Sequence, residues 1–355
     1  MENVSKPRVA FFDVFKALLI FCVVAGHGIE TGIAGPSLAA SATYMFFYLF
    51  HMPAFLFLLG WFSKSTARSG RKLLSRLCFF LALYALCKLV YYGGYKLITG
   101  ELPWWKADSF WAEDSPPWYM LTAALYMAVL WLARKTPGWL AVPLALALGL
   151  FSGAIPGIGA MLTLSRALVY LPVFLLGFYW PVGSFERFLA KKRAWYWLGA
   201  LALAAVWMAC RGWLGADPGR YARVMPILYA NNSFAALGFG LAEGLAVRAA
   251  VYAVNLVVAA FAAMTAAAVA QAEPGRLVLQ MGRNTLVPYI VHYPVFLYCR
   301  LALAPELTGA SFLLLVVVLL AFCSLDVWEN ALRLLQKGFY ALFGLVFREK
   351  DGAEG

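Results

Sequence analysis

The sequence predicts an all-α bundle of about ten membrane-spanning helices with both termini on the cytoplasmic side. Three observations carry that expectation. Hydrophobic residues make up 63% of the 355-residue chain and charged residues only 13%, with a mean hydropathy of +0.76; so little charge cannot cover a water-facing surface. The apolar residues come in runs of roughly 20, the length of a helix that crosses a hydrocarbon core. The lysines and arginines collect in short loops between those runs, the pattern that sets membrane orientation. A net charge of +12 distributed in this way is not a nucleic-acid footprint, and no nucleic-acid partner is expected. The lipid bilayer is the expected surrounding. No polar stretch is long enough for a soluble domain, so residues 1–347 read as one integral-membrane domain and 348–355 as a short polar tail.

The elements follow in order. Lys6 and Arg8 precede the first run, 9–31. That run is too long and too interrupted by charge for a cleaved signal peptide, so it is expected to remain as span one. The second run, 41–63, carries His51 and Pro53 near its middle. Lys64, Arg68, Arg71, Lys72 and Arg76 follow without an acid and mark a cytoplasmic loop. The third run, 73–98, ends in Tyr91, Tyr92 and Tyr95, an interfacial belt. The loop 100–117 is external, and its tryptophans beside acids suit either an interface or a sugar-binding lip. Runs at 118–133, 138–152 and 164–182 come next, then a cytoplasmic loop ending Lys191, Lys192 and Arg193, then a seventh run at 194–213.

Residues 214–247 leave two readings open. They hold Asn231, Asn232, Ser233, Glu243 and five glycines. They form either an extra span over 226–246 or an external, partly re-entrant segment. Runs at 249–270, 284–303 and 310–332 lead into a basic tail with Arg333, Lys337, Arg348 and Lys350. The positive-inside bias favours the second reading, which keeps that tail cytoplasmic and gives ten spans. No internal repeat of the kind found in many transporters is visible.

The chemistry-bearing residues concentrate in the apolar runs. Span one carries Asp13, Lys16 and His27. At about 100° per residue the lysine and histidine fall within about 20° of each other, roughly 16 Å apart along the axis. Ionisable groups at membrane depth are costly and usually face a protein interior or a wet cavity. All three histidines of the chain, His27, His51 and His292, lie in such runs, and histidine is the side chain best suited to general-base work near neutral pH. His51 either acts chemically or satisfies a carbonyl freed by Pro53. His292 shares a polar face with Asn284, Thr285 and Tyr289, and functional and packing readings both stand for it. Asp13 either joins the site or neutralises Lys16 as an i,i+3 pair. Arg68 and Arg71, an RxxR pair, suit bidentate phosphate binding or merely fix topology. Arg166, at the start of span six, suits an acid or a ligand. The six cysteines form no CxxC pair and no metal-ligand spacing, so they read as buried small hydrophobes and no metal is expected.

These residues resemble a known family. The stretch from Asp13 to His27, DVFKALLIFCVVAGH, is similar to the opening helix of the acyltransferase 3 family of integral-membrane O-acyltransferases, including its Arg/Lys-x10-His motif at Lys16 and His27. FHMPAFLFLLGWF, from Phe50, resembles the second motif of the branch named for fucose 4-O-acetyltransferases, with Leu59 preceding Gly60 where that motif has serine. LPVFLLGF at 171–178 and GRNTLVPYIVH at 282–292 are similar to two later segments, in the expected order.

The resemblance implies transfer of an acyl group, commonly acetyl from acetyl-CoA, from the cytoplasmic side to a hydroxyl of a cell-surface or lipid-linked carbohydrate, in a bacterial inner membrane. It implies His27 as base or acyl-handling residue, Lys16 as its motif partner, and Arg68 and Arg71 as acyl-donor contacts. No stretch of the 355 residues suits an esterase-like domain, so transfer is expected to finish within the membrane part. The reading from another class is a transporter or flippase for a glycan or proton-coupled solute, with Asp13, Lys16 and His27 as its relay. A third reading is a structural subunit of an envelope-assembly complex.

Overall fold

The computed structural model describes residues 10–101, 111, 115–159, 161–303, 306–307 and 309–346. The basic residues before the first run, most of the loop 100–117 and the tail 348–355 lie outside the described residues. Every extended regular element among the described residues is helical. This follows from the composition: where water is excluded, each backbone N–H and C=O must find its partner within its own segment.

The helices are α1 (Ala10–Glu30), α2 (Leu38–Tyr48), α3 (His51–Ser63), α4 (Gly70–Thr99), α5 (Trp118–Ala133), α6 (Gly138–Phe151), α7 (Leu164–Tyr179), α8 (Ser184–Leu189), α9 (Arg193–Ala216), α10 (Gly219–Leu228), α11 (Leu241–Ala270), α12 (Arg276–Arg283), α13 (Leu286–Leu303), α14 (Gly309–Cys323) and α15 (Asp326–Val346). Among the described residues six helical stretches are long and apolar enough to cross a membrane, with α2 and α3 taken together. The pair α14 and α15, bent by 53°, makes a seventh if it counts as one span. The expected runs at 118–133, 138–152 and 164–182 are helical but shorter.

Helix α1 is the axis of the bundle. Two-thirds (67%) of its most apolar window is buried, against 17% for α9, and it touches α2, α3, α11, α12, α13 and α14. The peripheral helices turn large apolar side chains outward, among them Trp139 and Leu144 on α6, Trp195, Leu201 and Met208 on α9, and Leu314 and Val318 on α14. Such exposure is unfavourable in water and is what lipid tails accept.

The second expected span is broken. Leu49 and Phe50 leave the helical path between α2 and α3. Pro53 lacks the N–H that Leu49 would receive in an unbroken helix, and this releases the backbone there. Beyond the break α3 packs very closely on α7. A Cβ added at Gly60 would overlap the Phe174 carbonyl, and one at Gly177 would overlap the Phe57 carbonyl, so two glycines let the two backbones touch. At the far end of α3 Phe12 meets Phe62 with ring centroids 5.2 Å apart. The two helices therefore run antiparallel, with Lys16 near Ser63 and His27 near His51.

Residues 226–246 do not form a separate helical span. α10 ends at Leu228, 229–240 is irregular apart from one 3₁₀ turn, and α11 begins at Leu241. The irregular segment tucks into the bundle, where the Ala230 carbonyl accepts from Ser165 Oγ at 2.8 Å and the Tyr229 carbonyl from Arg166 Nε at 3.0 Å. Asn231, Asn232, Ser233 and the glycines suit it poorly to crossing as a helix, while protein groups such as Ser165 and Arg166 satisfy its backbone. Beside it Asp217 is exposed; the Arg223 guanidinium holds its carboxyl below the usual range.

Candidate active site

One face of α1 opens on two cavities. One, of about 270 Å³, is lined by His27, Glu30, Tyr48, His51, Met52, Pro116, Trp118, Arg166, Tyr170, Tyr229 and Asn231. The other, of about 250 Å³, is mainly apolar and is lined on α1 by Lys16, Ile20 and Val23. These positions, at i, i+4, i+7 and i+11 of one helix, fall on one face. Lys16 and His27 thus share a stripe, as their spacing predicts, yet they belong to different cavities.

In the polar cavity the His27 Nδ1 meets the Glu30 carboxylate, three residues on along α1. A carboxylate only accepts, so Nδ1 carries the proton. When the ring is neutral, its lone pair is then on Nε2. His51 and His292 hold the same tautomer, because each Nδ1 donates to a backbone carbonyl four residues earlier, Phe47 and Pro288 respectively, at 2.6 Å in both cases. His51 Nδ1 thus binds the Phe47 carbonyl and not the Leu49 carbonyl that Pro53 frees, and its ring borders the cavity. His292 is fully buried and lies behind His27, ring centroids 5.2 Å apart.

Arg166 brings the cation into this cavity. It is only 7% exposed. Its Nε donates to the Tyr229 carbonyl, and its guanidinium lies 5.3 Å from the Trp118 ring. A guanidinium held in this way, away from bulk water, is a strong stabiliser of nearby negative charge. Tyr229, outside the candidate spans, has its phenol pushed above the ordinary tyrosine range, chiefly by burial and further by Glu30, so it stays a neutral hydrogen-bonding group. Tyr48, Trp118, Tyr170 and Tyr229 supply aromatic walls around these polar groups.

The remaining expected residues lie elsewhere. Asp13 is buried and pairs with Lys16 at 3.2 Å and with Arg283 of α12 at 3.5 Å. It joins α1 to α12 and faces neither cavity. Arg68 and Arg71 are exposed near the start of α4 and line neither cavity. From the same basic loop it is Arg76 that reaches the apolar cavity, whose polar end also holds Lys16, Ser63, Thr66 and Gln336. Among the described residues no cluster of three or more His, Cys, Asp or Glu side chains is disposed to hold a metal.

Glu30, Arg76, Trp118, Tyr229 and Asn231 are among the lining residues that sequence reasoning did not single out as site residues. Glu30 had a signal, its i,i+3 spacing from His27 on one helix. Tyr229 and Asn231 had none, since only the inward fold of their loop brings them there.

The family model described as an acyltransferase domain, Acyl_transf_3, matches residues 9–326. No curated protein and no solved structure matches the chain significantly.

Proposed function

As the chain belongs to the Acyl_transf_3 family, we propose that this membrane acyltransferase moves an acetyl group from a cytoplasmic acyl-CoA to a hydroxyl of a cell-surface or lipid-linked carbohydrate. The observation that carries the reading is the His27–Glu30 pair opening on a cavity that also holds Arg166. A sugar hydroxyl is a poor nucleophile. His27 Nε2 takes its proton as the oxygen attacks the thioester carbon. Arg166 stands where it can stabilise the charge that develops on the thioester oxygen. The C–S bond then breaks, and the imidazolium returns the proton to the departing sulfur, giving the ester and free coenzyme A. Glu30 holds the imidazole in the tautomer this requires.

The two cavities divide the substrates by their chemistry. The apolar cavity, cationic at its Lys16 and Arg76 end, suits an anionic donor with a long arm, and Arg68 and Arg71 extend that basic rim. The polar cavity, walled by aromatic rings and hydrogen-bonding groups, suits a sugar. The matching motifs extend the reading to the branch named for fucose 4-O-acetyltransferases, in a bacterial inner membrane. They accompany one membrane domain over 1–347, ten crossings and cytoplasmic termini, in which α5, α6 and α7 cross as short helices and the segment 214–240 stays external.

A proton relay for transport would need Asp13, Lys16 and His27 in one connected cluster. Lys16 and His27 open on different cavities, which weighs against it.

The experiment follows thiol release from acetyl-CoA by protein in nanodiscs, with a panel of sugar acceptors. Acceptor-dependent release that disappears in His27→Gln supports the reading. Undiminished release from a folded His27→Gln protein removes His27 from the chemistry.

A further inference from the structure

Met52 stands between the two cavities. It is 8% exposed, and among the described residues no other side chain borders both. A hydrogen bond from the Tyr289 hydroxyl, on the apolar lining, to the Pro116 carbonyl, on the polar lining, also joins the two walls. Met52 is the second residue of α3, fixed by the break at Leu49 and Phe50, so its backbone position is set while its side chain remains an unbranched chain with three rotatable bonds.

A donor lying with its anionic groups at Lys16 and Arg76 and its arm along Ile20 and Val23 presents its thioester at Met52. Beyond that point the space belongs to Glu30, Arg166 and His27, where an alkyl chain would desolvate charged groups. A short acyl group needs no room at the neck. A longer one must occupy the volume that the methionine fills.

We propose that Met52 is the specificity-determining residue for acyl length, admitting acetyl and excluding chains longer by two or more methylenes. This inference rests on the acyl-donor reading above. Met52→Ala removes three heavy atoms at the neck, room for the extra carbons of a butyryl group.

The test measures binding of free coenzyme A, acetyl-CoA, butyryl-CoA and hexanoyl-CoA to wild type, Met52→Ala, Met52→Leu and Met52→Phe in nanodiscs, which needs no acceptor. Wild type and Met52→Leu are expected to favour acetyl over butyryl by about tenfold or more, the scale on which a pocket rejects surplus methylenes. Met52→Ala is expected to bring the two within about threefold. Met52→Phe is expected to weaken acetyl-CoA while leaving free coenzyme A unchanged. An acetyl-to-butyryl ratio unaltered in both Met52→Ala and Met52→Phe overturns the inference and leaves the donor reading standing. If Met52→Ala does not fold, Met52→Phe decides alone. Failure of wild type to bind coenzyme A or any of its thioesters overturns the donor reading, and this inference with it.

Discussion

The imidazole of His27 and the carboxylate of Glu30 meet across one turn of α1, with Nδ1 as the contact atom. The pairing leaves Nε2 as the nitrogen that can accept a proton, and on the proposed mechanism Glu30 is a positioning residue for His27. Glu30→Gln keeps the shape and removes the charge. It is expected to lower kcat for thiol release by about 100-fold, within the range general-base catalysis supplies. KM for the acyl donor should stay unchanged, because Glu30 does not line the cavity proposed for the donor. Steady-state kinetics over a series of acetyl-CoA concentrations checks both numbers.

Arg166, not Lys16, shares the cavity of His27. Arg166→Met is expected to reduce kcat by about 100-fold or more, the usual effect of removing a preorganised donor to developing negative charge. Arg166→Lys should recover only part of it, since a point charge cannot hold the Tyr229 carbonyl and face the cavity at once. By contrast, Lys16→Met should raise KM for acetyl-CoA more than it lowers kcat. The opposite split would move Lys16 into the chemistry.

Asp13 has a different task. Its carboxylate is 2% exposed and lies between Lys16 and Arg283. Asp13→Asn leaves two cations beside a neutral group, and breaking a buried pair costs about 3 kcal/mol. A fall in denaturation midpoint in detergent should report it. An unchanged midpoint would show that α1 and α12 do not depend on this contact.

The close approach of α3 and α7 is as restrictive. Gly60→Ala or Gly177→Ala places a methyl group into the opposing backbone. Overpacking of this kind costs about 3 kcal/mol, and because α3 carries His51 and Met52 while α7 carries Arg166, activity should fall along with stability. The double variant should cost less than the sum of the two, since one separation of the helices relieves both overlaps.

The proposed ten crossings with cytoplasmic termini would place residue 217 outside and residue 192 inside. In a background with the six native cysteines replaced, Asp217→Cys is expected to react with a membrane-impermeant maleimide on intact cells. Lys192→Cys should react only after the cells are opened. The reverse pattern, or labelling of both, would refute the assignment.

The sequence by itself determined the helical, membrane-embedded character of the chain, because both follow from composition and from the length of apolar runs, which are local properties. It also determined the shared stripe of Lys16 and His27, and its i,i+3 spacing, though not read as a site there, sets the reach of Glu30 to His27, since a single helix fixes both by its own geometry. The tertiary structure decided the rest. It set Arg166 beside His27 and left Lys16 in a second cavity, folded Tyr229 and Asn231 inward, brought Arg76 rather than Arg68 or Arg71 to a cavity wall, and stood Met52 between the two cavities. Arg166 and Tyr229 are 63 residues apart in the chain. No local periodicity can specify such a meeting, because it depends on which helices pack together, and that is decided by contacts such as the touching backbones at Gly60 and Gly177.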